Sequence, residues 1–503
     1  MYDIIIRNGT LLDGTGGPGY RSDLAVKDGK IARIARKIDG EAAQVIDAAG
    51  LVVTPGFIDS HSHSDKEFYT DPVQVEKVEQ GITTSVGGQC GGSVCCADAA
   101  EFLDAAPNVK LGANMAMLIG HGSLRRAVIG PDSRVPSDEE MEKMKAILRT
   151  AMEHGALGIS YGLIYAPSYY AKTPELIELA KVVQEYQGIV AAHIRGEGPT
   201  LIRATEEFIQ IIRESGARGV LSHHKSCGNK ENWGKVHTTL RMLDQATAEG
   251  VDIWCDVYPY TATHTGMGST FVPPEYHTRG SEGVVEALTN PETRAKIKAW
   301  GKERWGEDLS WVQVTACRAW PEYQGMLLPE IAKARGTDAY DAAFDIIAEC
   351  KNTGSNACYF TICEEDVETV MAWPKAMICT DAGVTAKPAG APVSHHPRLR
   401  GSFPRALGRY VRERGVVTLP EMIRKMTSMP AAVYGFKKKG LLVEGFDADI
   451  CIFDPDRIID HSTFTECHLH AEGLNYVLVG GLVAAKDAVA TGEMGGTLLL
   501  RDV

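Results

Sequence analysis

The chain has 503 residues, enough for about three ordinary domains or for one large barrel with attachments. Its 52 Lys and Arg against 65 Asp and Glu leave a net charge of −13, which argues against a general nucleic-acid or anionic-membrane binder. No apolar run approaches the length of a membrane span, and Met1 to Arg7 lacks a secretory signal's long apolar stretch, so the chain reads as cytoplasmic.

The first 50 residues carry short β-like runs, Tyr2 to Ile6, Leu24 to Val26, Lys30 to Ile34 and Gln44 to Ile46, punctuated by glycines. A different rhythm follows. Ser137 and Glu140 match a capping box, Met141, Met144, Leu148 and Met152 recur at helical spacing, and Gly155 marks the stop. Ala156 to Tyr161 then reads as a strand. Thr173-Pro174 opens a second helix through Val183, and Ile189 to Ala192 runs as a buried strand into His193. Val220-Leu221, Ile253 to Val257 and Met377 to Cys379 are further strands of this kind. Such repeats predict a parallel sheet, of the (β/α)₈ type in which active sites form at strand carboxyl ends. A doubly wound sheet, which also binds ligands at strand carboxyl ends, is the alternative. Residues from about 262 to 352 break the rhythm and predict an insertion near the active-site face. Ala448 to Phe453 and Tyr476 to Val479 return to the β texture of the start, so the two ends are expected to share one sheet domain.

Polar residues cluster where the apolar runs end. Pro55 to Asp59 leads into His61-Ser62-His63, and positions two apart on an extended strand point the same way, so both imidazoles can face one metal. A bare His-x-His is more often a pair of surface histidines. Here Cys90, His193 and His223 each follow another apolar strand, and together the five supply N and S ligands for one or two zinc ions. Asp381 follows a late strand and suits a base that takes a proton from metal-activated water and returns it to a leaving amine. Twelve cysteines spread through the chain do not make a disulfide scaffold, and a special one is expected to bind metal or react.

These motifs resemble the metal-dependent amidohydrolase superfamily and, within it, the N-acyl-D-amino-acid deacylases or D-aminoacylases. The similarity runs through Pro55 to His63, Gly81 to Gly91, Gly158 to Tyr165, His193 to Glu197, Ser222 to Lys225, Tyr258-Pro259-Tyr260, Asp381 and His396-Pro397-Arg398. It implies a TIM-like (β/α)₈ barrel over residues 56–430, with a small β-sandwich built from 1–55 and 431–503. It implies a tight zinc on Cys90, His193 and His223, and a weaker position lined by His61, His63 and Asp381. Many superfamily members bridge two metals with a modified lysine on the fourth strand; Gly155 to Tyr165 has none, and the cysteine is expected to replace it. Tyr165, Lys225 and Tyr258 are implied to bind the carboxylate of a small N-acyl amino acid, and one cation with two hydroxyls suits that task.

Two features depart from the pattern. Thr261 to Thr265, including His264, replaces a small Gly-Ser-Thr type segment, and no clear match exists for an arginine used on the substrate carboxylate, Arg318 and Arg398 being loose candidates. The expected reaction is hydrolysis of N-acyl-D-amino acids to a carboxylate and a free D-amino acid. The alternatives are a cyclic-amide hydrolase of the hydantoinase or dihydroorotase type, a heterocycle deaminase, or a non-catalytic barrel scaffold.

Overall fold

The computed structural model describes residues 1–385 and 396–501. Eight parallel strands follow one another around the centre: β1 (Phe57–Asp59), β2 (Ile82–Gly87), β3 (Asn114–Gly120), β4 (Gly158–Gly162), β5 (Ile189–His193), β6 (Arg218–Leu221), β7 (Ile253–Val257) and β8 (Ala376–Ile378). Each is buried nearly throughout, as expected of a parallel sheet jacketed by helices. The ladder runs in chain order from β1 to β8. The ring closes above β8 and β1, where Ser62 bridges Ala382 and the Asp381 N–H donates to the His61 carbonyl at 2.9 Å.

The helices between the strands form for the local reasons their sequences give. Asp138–Glu153 starts on the Ser137–Glu140 capping box, with both reciprocal hydrogen bonds made, and buries Met144, Leu148 and Met152 along one face. Thr173–Glu185 places Pro174 in its first turn, where the missing N–H costs nothing.

Both chain ends enter one branching nine-stranded sheet. Its order is Val489–Ala490, Leu482–Lys486, Leu474–Val479, Ile450–Phe453, Val52–Pro55, Tyr2–Leu11, Tyr20–Lys27 and Lys30–Ala35, with Ala42–Asp47 added in parallel to Tyr2–Leu11. Alternation assigns its two faces. Val52, Cys451, Phe453 and Val477 join the barrel's main core, whereas Val53, Ile450, Ile452 and Leu478 build a separate outer core.

The apolar run before the His-x-His pair, which reads as one strand, is two strands in two sheets. Val52–Pro55 belongs to the terminal sheet and Phe57–Asp59 to the barrel, with Gly56 between them. A Cβ on Gly56 would stand 2.2 Å from the Thr83 hydroxyl, so only glycine lets the chain change sheets so close to β2.

Between β7 and β8 the chain leaves the barrel. Thr263–Gly266, Ser355–Tyr359 and Val312–Cys317 form a three-stranded antiparallel sheet in that order. It carries helices including Pro291–Trp305 and Ala339–Glu349, and it buries a core of its own around Phe271, Val314, Tyr340 and Phe344.

Candidate active site

A cleft of about 1540 Å³ opens over the carboxyl ends of the strands, walled on one side by the insertion. His63, Cys90, Tyr165, His193, His223, Lys225, Tyr258 and Asp381 all line it, and His61 lies buried just beneath. Each stands on or a few residues past the end of a barrel strand, so one rim collects side chains separated by up to 320 positions in the sequence.

The donor atoms converge on Cys90. Its Sγ lies 3.3 Å from His61 Nε2, 3.4 Å from His223 Nε2 and 3.7 Å from His193 Nδ1. Asp381 Oδ1 lies 3.2 Å from His63 Nε2 and 3.5 Å from His61 Nε2. Two overlapping groups result, His61, His63, Cys90 and Asp381 on one side and Cys90, His193 and His223 on the other, each with its ligand atoms within 4.8 Å of one another. The thiol belongs to both. Its place between the groups is the geometry a bridging ligand requires.

Electrostatics suit the same task. Burial drives His61 well below its ordinary range and His193 down to about 3, so both rings are neutral and offer lone pairs. Burial raises the Cys90 thiol, so taking up a cation there must expel its proton. Imidazoles, a thiol and a carboxylate meeting at one point fit a zinc-type ion better than a hard oxygen-seeking one.

The backbone is held in unusual shapes to achieve this. Cys90, His223 and Asp381 adopt φ of +52°, +38° and +49°, sparsely populated for side-chain-bearing residues and maintained only where the surroundings over-determine them. The Cys90 turn is pinned by Ser160 on β4. Ser160 Oγ accepts from Gly91 N–H at 3.0 Å and donates to the Gly88 carbonyl at 2.5 Å. At Gly88, φ is +71° and a Cβ would sit 1.9 Å from the Leu118 carbonyl, which excludes any other residue.

Several residues that sequence reasoning passed over complete the arrangement. Glu197 is the foremost. Its Oε1 accepts from Lys225 Nζ at 2.6 Å and lies 3.1 Å from His223 Nδ1. Burial alone would raise its carboxyl, but Lys225, His193 and His223 outweigh that and hold it below the usual range. With Lys225 it holds the His223 ring from behind; the signal was present in His193-Ile194-Arg195-Gly196-Glu197. Asp256 on β7 accepts from the His223 N–H and restrains the same loop.

Lys225 lines the cleft, but its ammonium is engaged by Glu197, by the His223 carbonyl at 2.8 Å and by His223 Nδ1, also at 2.8 Å. Tyr258 is different: its ring stacks beneath Lys225 and Arg398, and its buried hydroxyl has no hydrogen-bond partner among the described residues. The Tyr165 hydroxyl lies 3.3 Å from Thr265 Oγ1. Burial raises both phenols, leaving them as donors. Of the loose candidates, Arg398 is buried against Asp381, donating to Oδ2 at 2.6 Å. Burial opposes the Asp381 charge, but Arg398 first, then His223 and His63, hold the carboxyl well below its usual range. Arg318 is exposed beside Gly354, outside the cleft. His264 contacts Thr315 Oγ1 at 2.9 Å.

A model of the amidohydrolase family matches residues 44–304 and 386–485. The chain belongs to that family. Within it, similarity runs to the D-aminoacylases. This amidohydrolase is 34% identical to the D-aminoacylase of Alcaligenes xylosoxydans xylosoxydans, covering 99% of the chain and 98% of that relative. It superposes on a D-aminoacylase crystal structure with a TM-score of 0.84 at 32% identity, covering 100% of both chains. The N-acyl-D-glutamate deacylase of Bordetella bronchiseptica, solved with zinc and a phosphonate mimic of the tetrahedral intermediate, gives a TM-score of 0.81 at 33% identity and covers 100% of both chains. No helix among the described residues is long and apolar enough to cross a membrane.

Proposed function

We propose that this enzyme hydrolyses the amide bond of N-acyl-D-amino acids, releasing a carboxylate and a free D-amino acid. The observation that carries this reading is the convergence of His61, His63, Cys90, His193, His223 and Asp381 at the floor of a cleft also lined by Tyr258, whose hydroxyl is unpaired among the described residues. We assign a tight zinc to Cys90, His193 and His223 and a weaker second position to His61, His63 and Asp381, with Cys90 common to both. Zinc held there would polarise the scissile carbonyl and acidify water.

The chain's own residues do the rest. Asp381 is the catalytic acid and base. With Oδ2 fixed by Arg398, its Oδ1 faces the metal ligands and takes the proton of the attacking water. The same oxygen returns that proton to the departing nitrogen, so an amine leaves instead of an amide anion. Tyr258 and Tyr165 donate to the substrate carboxylate, and Lys225 supplies positive charge beside them while Glu197 keeps it in place. The enzyme's partner is thus a small N-acyl amino acid. All twelve cysteines are free, Cys317 and Cys350 with their sulfurs 3.9 Å apart, which suits the reducing cytoplasm to which we assign it.

The test is zinc analysis coupled to hydrolysis of paired N-acyl-D and N-acyl-L substrates with acidic, neutral and aromatic side chains. Release of free D-amino acid in proportion to bound zinc is expected. Equal or better use of the L series overturns the reading.

A further inference from the structure

We infer that Lys77 is a positioning residue that sets the distance between Asp381 and the His61–His63 pair, and with it the weaker metal position. The inference rests on the reading of those three side chains as one ligand group, and not on the identity of the substrate.

The barrel closes where its ladder is thinnest. β1 and β8 are three residues each and share no ladder; above their ends the seam closes through two backbone hydrogen bonds, Asp381 N–H to the His61 carbonyl at 2.9 Å and His63 N–H to the Ala382 carbonyl at 3.1 Å. His61 and His63 leave one side of this seam and Asp381 leaves the other. With so short a pairing, a further element beneath must help to set their register.

That element is a buried cluster under the seam. Lys77, in the short helix Val75–Val78, is completely buried. Its ammonium donates to Asp59 Oδ2 at 2.8 Å, to Thr380 Oγ1 at 2.9 Å and to the Ala382 carbonyl at 2.8 Å, which uses all three of its protons. Asp59, also buried, accepts in addition from Thr380 N–H at 2.8 Å and from the Thr380 hydroxyl at 2.6 Å. Asp59 is the last residue of β1, two before His61; Thr380 and Ala382 flank Asp381. The lysine therefore grips both neighbours of the carboxylate and the strand end that launches the histidines.

This grip accounts for the shape of the Asp381 backbone. With the residue before it and the residue after it both tied to one ammonium, Asp381 has no room to relax from its left-handed φ of +49°. Its carboxylate is held 3.2 Å from His63 and 3.5 Å from His61. Lys77 touches neither ligand nor cleft, and so acts through others.

Two variants test this, Lys77→Met and the double variant Asp59→Asn with Lys77→Met, which removes both buried charges together. The probe is cobalt(II) titrated into the metal-free chain, the first equivalent followed by the thiolate absorption of Cys90 and the second by the change in that spectrum. Steady-state kcat and KM on the best N-acyl-D substrate, per folded molecule, are the second readout. The expected result is an unchanged first equivalent, a second equivalent weakened by about 10–100-fold, and kcat lowered by about 100-fold with KM unchanged. Wild-type binding of the second equivalent in either folded variant overturns the proposal. So does equal loss of both equivalents, unfolding of both variants, or a wild-type chain that takes up only one ion. If the wild type binds two ions yet hydrolyses no N-acyl-D substrate, the functional reading fails while the titration still decides the role of Lys77.

Discussion

Glu197→Gln replaces a charge with a group of the same shape, at a site where the charge has two partners. Glu197 Oε1 is 2.6 Å from Lys225 Nζ and 3.1 Å from His223 Nδ1, and the three side chains are no more than 10% exposed. Solvent therefore screens little of the loss. Leaving the ammonium without its counter-charge costs about 3–5 kcal/mol of folding stability. Weakening the hydrogen bond behind His223 costs about 10–100-fold in metal affinity. The two effects separate in the double variant Glu197→Gln with Lys225→Met: stability returns, because no buried charge is left alone, while affinity stays low, because His223 still lacks its carboxylate. Denaturant unfolding of the metal-free chains measures the first quantity and zinc competition with a chelator the second. A single variant with wild-type unfolding and wild-type zinc affinity would refute the reasoning, since it would mean that Glu197 neither balances Lys225 nor orients His223.

Asp381→Asn should keep the fold and the zinc on Cys90, His193 and His223 but lower kcat by about 100-fold or more, the usual yield of a positioned acid and base; near-normal turnover with that zinc in place would remove the residue from that role. In Tyr258→Phe the lost donor should raise KM by about 10–100-fold, the worth of a hydrogen bond to a charged group, with kcat retained, as initial rates over a substrate range will tell. Gly56→Ala should destabilise the chain by about 1–3 kcal/mol through overpacking, because the added methyl meets Thr83; an unchanged unfolding midpoint would contradict the contact. Lys425 is buried against the carbonyls of Trp373 and Ala376, and burial lowers its pKa from 10.5 to about 8. The unfolded chain holds that proton to higher pH than the folded one, so stability rises between about pH 8 and 10.5 and is lost as pH falls through 8. The difference amounts to roughly 3 kcal/mol, and Lys425→Met should flatten that slope in unfolding curves recorded across the interval.

The barrel and the side chains that converge at its rim were legible because both obey local rules. Apolar strands end in a polar residue, and the Ser137–Glu140 box and Pro174 announce their helices without reference to anything distant. β3 is the strand that pattern missed: Asn114 to Gly120 holds two Met and one Ala and carries a single β-branched residue, Ile119, so its buried state comes from its place between β2 and β4. The division at Gly56 was hidden because both halves are apolar, and nothing local tells which sheet each will join. The charged supports were hidden for a related reason. Lys77 and Thr380 are 303 positions apart, and a pair of that span leaves no periodicity in the sequence. Arg398 stood in the sequence only as a loose candidate for a substrate contact, because its partner Asp381 is 17 positions away on another element; in the structure it donates to that carboxylate.

The place of Val52–Pro55 in the terminal sheet bears on how the molecule is made. This strand lies between Tyr2–Leu11 and Ile450–Phe453 and runs directly into β1. One of its two flanking strands leaves the ribosome almost 400 residues after it does, a delay on the order of tens of seconds at ordinary elongation rates. During that interval the foundation of the His61–His63 segment has an open edge, and nascent chains paused before residue 450 should be the ones that chaperones hold and proteases cut.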